Sequence, residues 1–172
     1  TMDRIWLKKY PAGVPADIDV TQYASLVDLL EESFKTFATR KSFICMDKAI
    51  TYRDLDEMSA AIGAYLQSKG LKKGARVAIM LPNVLQNPVA SAAVLRAGYT
   101  VVNVNPLYTA RELEHQLCDA GCEAIVIVEN FAHTLQEVAS QVTSLRHVVV
   151  TGLGDMLGFP KSLLVNFVVR HV

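Results

Sequence analysis

Arg76-Val77-Ala78-Ile79-Met80-Leu81 opens the stretch that decides the fold, residues 76–151. Three more short apolar runs follow: Thr100-Val101-Val102-Asn103-Val104, Ala124-Ile125-Val126-Ile127-Val128 and His147-Val148-Val149-Val150-Thr151. A helix-length segment separates each run from the next. Asn87 can cap the first of these helices, because Pro88 then falls at the opening helical position, where its missing N–H is tolerated; Gly98 ends it. Thr109 and Glu112 stand at capping-box spacing for a helix over residues 109–119, which Gly121 ends. Residues 131–142 supply the third helix. Short strands alternating with helices of this length pair in parallel through right-handed crossovers. The strand hydrophobicity is continuous rather than alternating, which calls for cover on both faces. The expected fold class is therefore α/β, a mainly parallel sheet with helices on both faces.

Working outward, Leu26, Leu29, Leu30, Phe34 and Phe37 recur at three- and four-residue spacing within residues 21–40, the mark of an amphipathic helix. Residues 42–52 suggest two short strands around Asp47-Lys48. Residues 54–69 form a helix, with Thr51 or Asp54 as its N-cap and Gly70 just past its end. Pro11, Gly13 and Pro15 discourage a helix at the start of the chain. Three segments result: an extended arm over 1–20, an α/β unit over 21–151, and a loop with an amphipathic segment over 152–172.

Half of the residues are hydrophobic and a fifth are charged, which fits a globular core and argues against disorder. Lys and Arg balance Asp and Glu, 17 against 17, so no basic face recommends nucleic acid as a partner. Cys45, Cys118 and Cys122 have no framework spacing, and a reducing compartment is the simpler reading. Arg4, Lys8 and Lys9 are followed by no apolar run, which speaks against a signal peptide. Thr1 reads as an expression remnant ahead of a natural start at Met2. No segment reaches the roughly 20 apolar residues of a bilayer span.

Ile50-Thr51-Tyr52-Arg53-Asp54-Leu55, Leu95-Arg96-Ala97-Gly98-Tyr99 and the run from Thr100 through Asn105-Pro106-Leu107-Tyr108-Thr109 carry a further signal. These blocks resemble the early part of the adenylate-forming enzymes. Residues 6–15, Ser25-Leu26-Val27-Asp28, residues 105–117 and residues 124–135 are similar to the start of a bacterial long-chain-fatty-acid–CoA ligase. The resemblance implies part of the large N-terminal domain of such an enzyme. It implies a two-step reaction: a fatty carboxylate attacks ATP to give acyl-adenylate and pyrophosphate, and the thiol of coenzyme A then displaces AMP. Mg2+ would neutralise the phosphates. ATP, Mg2+ and coenzyme A are thus the cofactors of the whole enzyme, a long-chain fatty acid its partner, and the cytoplasm, with peripheral contact to the inner membrane, its place. None of the groups that the family uses for this chemistry maps onto these residues. The expected catalytic, cofactor-binding and metal residues are therefore none, and the chain alone is expected to be inactive. The alternative from another class is a stand-alone α/β binding or interaction module.

Several features tempt toward chemistry, and each has a plainer explanation. Gly152-Leu153-Gly154-Asp155-Met156-Leu157-Gly158 follows a strand, but a dinucleotide fingerprint needs its third glycine one position earlier, so a flexible loop is expected. The continuation Gly158-Phe159-Pro160-Lys161 matches only the end of the family's phosphate loop. Asp155, Met156 and Leu157 stand in place of its hydroxyl residues, and Asp155 would repel a phosphate. His115 and Cys118 can share a helix face, yet Cys122 lies beyond Gly121 and no fourth ligand has zinc spacing. His133 and His147 are isolated from any nucleophile motif. Asn103, Asn105 and Pro106 end a parallel strand, where ligands of open α/β sheets bind; the plainer reading is a tight connection capped by Thr109. Phe159, Leu163, Leu164, Phe167 and Val168 form an apolar stripe beside Lys161 and Arg170, suited to a membrane surface, a second subunit or further sequence.

Overall fold

The computed structural model describes residues 3–171; the expected start at Met2 lies outside them. A short 3-10 turn over Ile5–Lys9 interrupts the otherwise irregular arm. Next come α1 (Leu26–Thr36), β1 (Lys41–Cys45), β2 (Lys48–Thr51) and α2 (Tyr52–Ser68). Then β3 (Arg76–Met80), α3 (Gln86–Arg96), β4 (Thr100–Asn103), α4 (Ala110–Ala120) and β5 (Ala124–Val128) alternate. The chain continues through α5 (Ala132–Val138), β6 (His147–Thr151) and α6 (Lys161–His171). β1 and β2 form an antiparallel hairpin apart from the main sheet. β3 to β6 form a parallel four-stranded sheet in the order β4-β3-β5-β6.

Alternation of side chains across each strand divides the core. Val77, Ile79, Ala124, Val126 and Val128 face Leu66 of α2 and Ala90 and Val94 of α3. Ala78, Met80, Ile125 and Ile127 face Leu113 and Leu117 of α4 and Leu135 and Val138 of α5. Helices therefore cover both faces at the centre of the sheet, as the apolar runs require. Cover thins at the edge. Val148 and Val150 of β6 are half exposed, while Val149 packs on the core. Continuous apolar sequence overstated the cover of this strand.

A third cluster of Phe34, Ile50, Leu55, Leu85, Val89 and Ala92 ties α1 and the hairpin to α2 and α3. Gly63 lets α2 and α3 approach closely, because a Cβ there would lie 3.2 Å from the Ala93 carbonyl oxygen. Arg96 locks the same junction. Its guanidinium donates to Glu31 Oε1, the Asp56 carbonyl and Ser59 Oγ, each at 2.8 Å, and lies over the Phe34 ring. Only Phe34 of the α1 stripe is fully buried; Leu26 and Leu29 are exposed.

The α4 cap matches the sequence reading, and of the two caps left open for α2 the structure uses Thr51, with the helix starting at Tyr52. Thr51 with Asp54 and Thr109 with Glu112 each make a complete capping box, and Gly121 closes α4 in the left-handed conformation. The α3 cap does not match. α3 starts at Gln86 after Leu85, with no side-chain cap, so Pro88 is its third residue. The Asn87 amide instead donates to the carbonyls of Leu81, at 3.0 Å, and Pro82, at 3.3 Å, tying off the end of β3. α5 is also shorter than expected, opening with a 3-10 turn over Glu129–Phe131 and ending at Val138.

Candidate functional site

β3 runs through α3 to β4 on one side, and the chain then returns to place β5 on the other side of β3. The point between β3 and β5 is thus where an open α/β sheet offers a crevice beyond its strand ends. Gln86, buried at the start of α3, donates through Nε2 to the Gly152 carbonyl at 2.8 Å and to Thr151 Oγ1 at 3.4 Å. It thereby joins the segment after β3 to the segment after β6.

Residues 152–158 are held rather than loose, which corrects the flexible-loop expectation. Asp155 Oδ2 accepts from the Gly152 N–H at 2.7 Å and from Thr151 Oγ1 at 3.0 Å. Asp155 Oδ1 accepts from Asn166 Nδ2 at 2.8 Å, and Asn166 Oδ1 accepts from the Gly154 N–H at 2.7 Å. A Cβ at Gly154 would lie 2.8 Å from the Ser162 backbone carbonyl and from Asn166 Oδ1, and one at Gly152 would lie 2.7 Å from Asp155 Oδ1, so a side chain there would displace the carboxylate from its bonds. Burial alone would raise the pKa of Asp155. The Gly152 N–H, the Asn166 amide and the Thr151 hydroxyl outweigh it and hold the carboxyl below its usual range.

Farther along α6, Arg170 donates twice to Glu129 beyond β5, at 2.6 and 2.8 Å. That fork holds Glu129 below the usual carboxylate range, chiefly through its hydrogen bond. Lys161 donates to the Met46 carbonyl and faces Asp47 at 3.6 Å, at the hairpin turn.

This arrangement does not fit a phosphate. The amides of Gly152 and Gly154 are already bonded to side chains, a carboxylate lies among them, and Lys161 points to the hairpin. Lys161, which closes the Gly158-Phe159-Pro160-Lys161 match, is held at the hairpin turn and away from the Gly152 and Gly154 amides. The loop after β4 is equally self-contained. Asn105 Oδ1 accepts from the Leu107 N–H at 3.0 Å, and Gln116 donates to the Asn103 carbonyl at 2.9 Å. His115 and Cys118 are exposed and Cys122 is buried, with its thiol pushed up to about 11 by burial. Among the described residues, no group of three or more His, Cys, Asp or Glu side chains is placed to hold a metal. No helix among them is long and apolar enough to cross a membrane.

The sequence reading missed the clasp of Asp155, Asn166, Glu129 and Arg170. Its one local signal was Asp155 beside two glycines; its partners lie 11 and 41 residues apart in sequence.

Comparison with known proteins bears on the whole of this scaffold. The family described as AMP-binding enzyme matches residues 30–170. The chain belongs to that family. It is 55% identical over 172 residues to a long-chain-fatty-acid–CoA ligase of Yersinia pestis, covering 99% of this chain and 30% of the relative. The ligase of the same description from Bacillus subtilis is 33% identical over 159 residues, covering 92% of this chain and 28% of that one. The chain thus spans about 30% of the length of these curated relatives. Among solved structures, a long-chain-fatty-acid-CoA ligase from Archaeoglobus fulgidus superposes with a TM-score of 0.73 at 23% identity, over 92% of this chain and 32% of that one. At that identity the likeness is one of fold. The adenylate-forming resemblance and the α/β class both stand in this AMP-binding chain.

Proposed function

We propose that this chain is the N-terminal part of an ATP-dependent long-chain fatty acid–CoA ligase, which converts fatty acid, ATP and coenzyme A to acyl-CoA, AMP and pyrophosphate. The observation that supports this reading is the breadth of the match: 55% identity across 99% of the chain to a ligase of that description. Triostin synthetase I, a protein of different description, is 30% identical over 74% of the chain. The identity extends through the arm and through α6, segments that a generic α/β interaction module would have no reason to share.

In this reading residues 3–171 are structural. Their sheet and its two helix layers form a platform for the large N-terminal domain, and no residue among them touches the reacting atoms. In this reading ATP, Mg2+ and coenzyme A are cofactors of the full-length enzyme, and the internal bonding of the glycine segment supports assigning none of them to these residues. The arm over 1–20, the α/β unit over 21–151 and the closing segment over 152–172 are the working divisions of the platform. The full-length enzyme would act in the cytoplasm, in peripheral contact with the inner membrane.

The test is a pair of assays with oleate. The complete gene product should form oleoyl-CoA with Mg-ATP and coenzyme A. The 172-residue chain should give no pyrophosphate exchange into ATP. Failure of the complete product with fatty acids of every chain length would reject the ligase reading. Magnesium-dependent exchange by the chain alone would reject the structural role.

A further inference from the structure

Two residues that break local rules meet across 115 positions of sequence. Met46 and Asp47 form the two-residue turn of the hairpin, between the paired Cys45 and Lys48, and both have positive φ, 47° and 61°. Such a turn favours Asn-Gly, because a Cβ is strained in the left-handed region. Asp visits that region readily, whereas a long side chain such as Met does so at a cost. Burial does not hold Met46 there, since it is 47% exposed. Lys161 breaks the second rule. It opens α6, where the helix dipole favours an acid, and the first turn of α6 has none. Its ammonium turns away from the helix to donate to the Met46 carbonyl and to face Asp47. The central peptide of a two-residue turn lies outside the ladder, so strand pairing does not satisfy this carbonyl. Asp47 is fully exposed, so its ion pair adds little and the bond to the carbonyl is the main contact.

We infer that Lys161 is a clip that couples the hairpin to α6, so that release of α6 frees the turn and relaxation of the turn loosens α6. Strained backbone persists only where its surroundings hold it. Lys161 supplies the hydrogen bond and the ion pair that reach this turn from outside the hairpin. Both coupled elements are marginal by themselves. β1 and β2 lie apart from the main sheet, and two strands alone are barely stable in water. α6 has no buried residue; Leu163, Leu164 and Phe167 face outward, and beyond its first turn Asn166 and Arg170 hold it. Ile50 keeps the strands on the third core cluster, so the clip acts on the turn end of the hairpin. Coupling of this kind is reciprocal: the same factor must appear at either end. This inference does not depend on the ligase reading.

Native-state hydrogen exchange reads both ends at once, through the amides of Cys45 and Lys48 at the turn and of Ser162 and Leu164, which are bonded to Gly158 and Pro160 at the start of α6. Lys161→Met keeps the length of the side chain without its charge and should accelerate both pairs by about 5-fold. Lys161→Arg, which keeps a donor and a charge, should restore most of the protection. Asn166→Ala with Arg170→Ala loosens α6 without touching the hairpin. That double variant should nonetheless accelerate Cys45 and Lys48 by the same factor, and adding Lys161→Met should accelerate them no further. The β5 amides should stay unchanged throughout, as a check that the fold is intact. Turn amides that ignore Lys161→Met overturn the inference. So do turn amides that respond to Lys161→Met but not to the double variant, or in which the two effects multiply, because Lys161 would then be a local bond and not a link. Ser162 and Leu164 that stay fully protected in the double variant also overturn it, since bonds other than these would then hold α6.

Discussion

β5 and α6 are both apolar in sequence, yet they are held in opposite ways. Every residue of β5 is buried, between Leu66 and Val94 on one side and Leu117 and Leu135 on the other. α6 has no buried residue and keeps its place through Asn166, Arg170 and Lys161. Burial is non-directional, and removing β5 side chains costs transfer and cavity energy together. A polar clasp is directional and competes with water, so each bond is worth little net. The contrast separates a permanent scaffold from an element whose docking is cheap to undo.

The largest effect should come from the scaffold. Ile127→Ala empties a fully buried site and should lower unfolding free energy by about 3–4 kcal/mol in urea melts. A loss below about 1 kcal/mol would mean that the sheet tolerates a cavity and that the two regions differ less than described. The clasp should respond locally instead. Asn166→Ala leaves the Gly154 N–H without its partner, at about 2 kcal/mol of α6 docking. Limited proteolysis within residues 159–171 should accelerate by roughly 30-fold at unchanged global midpoint. A matching fall in the global midpoint would place α6 in the cooperative core.

A smaller change tests a site far from both. Thr109→Ala removes the α4 cap and should cost about 1 kcal/mol; an unchanged urea midpoint would show that Glu112 alone suffices.

The gentlest probe is pH. Glu129 and Asp155 have carboxyl pKa values depressed by folding. Their contribution to docking is therefore complete above their unfolded pKa values, from about pH 5 upward. It is lost as pH falls through the lower folded values. Proteolysis at α6 by an acid-active protease should rise across that window, and the double variant Glu129→Gln with Asp155→Asn should flatten the dependence. An unchanged profile in that variant would assign the acid sensitivity to other groups.

These contrasts also mark what could be read from the sequence. β3 and β5 were legible because complete burial demands unbroken apolar runs. The capping box at Thr109 was legible because both partners lie three residues apart, whereas at α2 the sequence left Thr51 and Asp54 open as caps and the structure joins them in one box. Asn87 was misread because its amide had a nearer use on the β3 carbonyls, which no spacing reveals. β6 was read as covered on both sides, yet an edge strand can keep apolar residues on an open face. The stripe on α6 was plain, but periodicity defines a stripe without saying which way it faces. That direction is set by Asn166 and by the Arg170–Glu129 pair, 41 positions apart.

Native-state hydrogen exchange on the chain tests this division most directly. Amides of β3 and β5 should exchange only through global unfolding, and those of α6 through a local opening of lower free energy that Asn166→Ala lowers further without touching β5. Amides of α6 that exchange as slowly as those of β5, and that slow or quicken with them in Ile127→Ala, would contradict it.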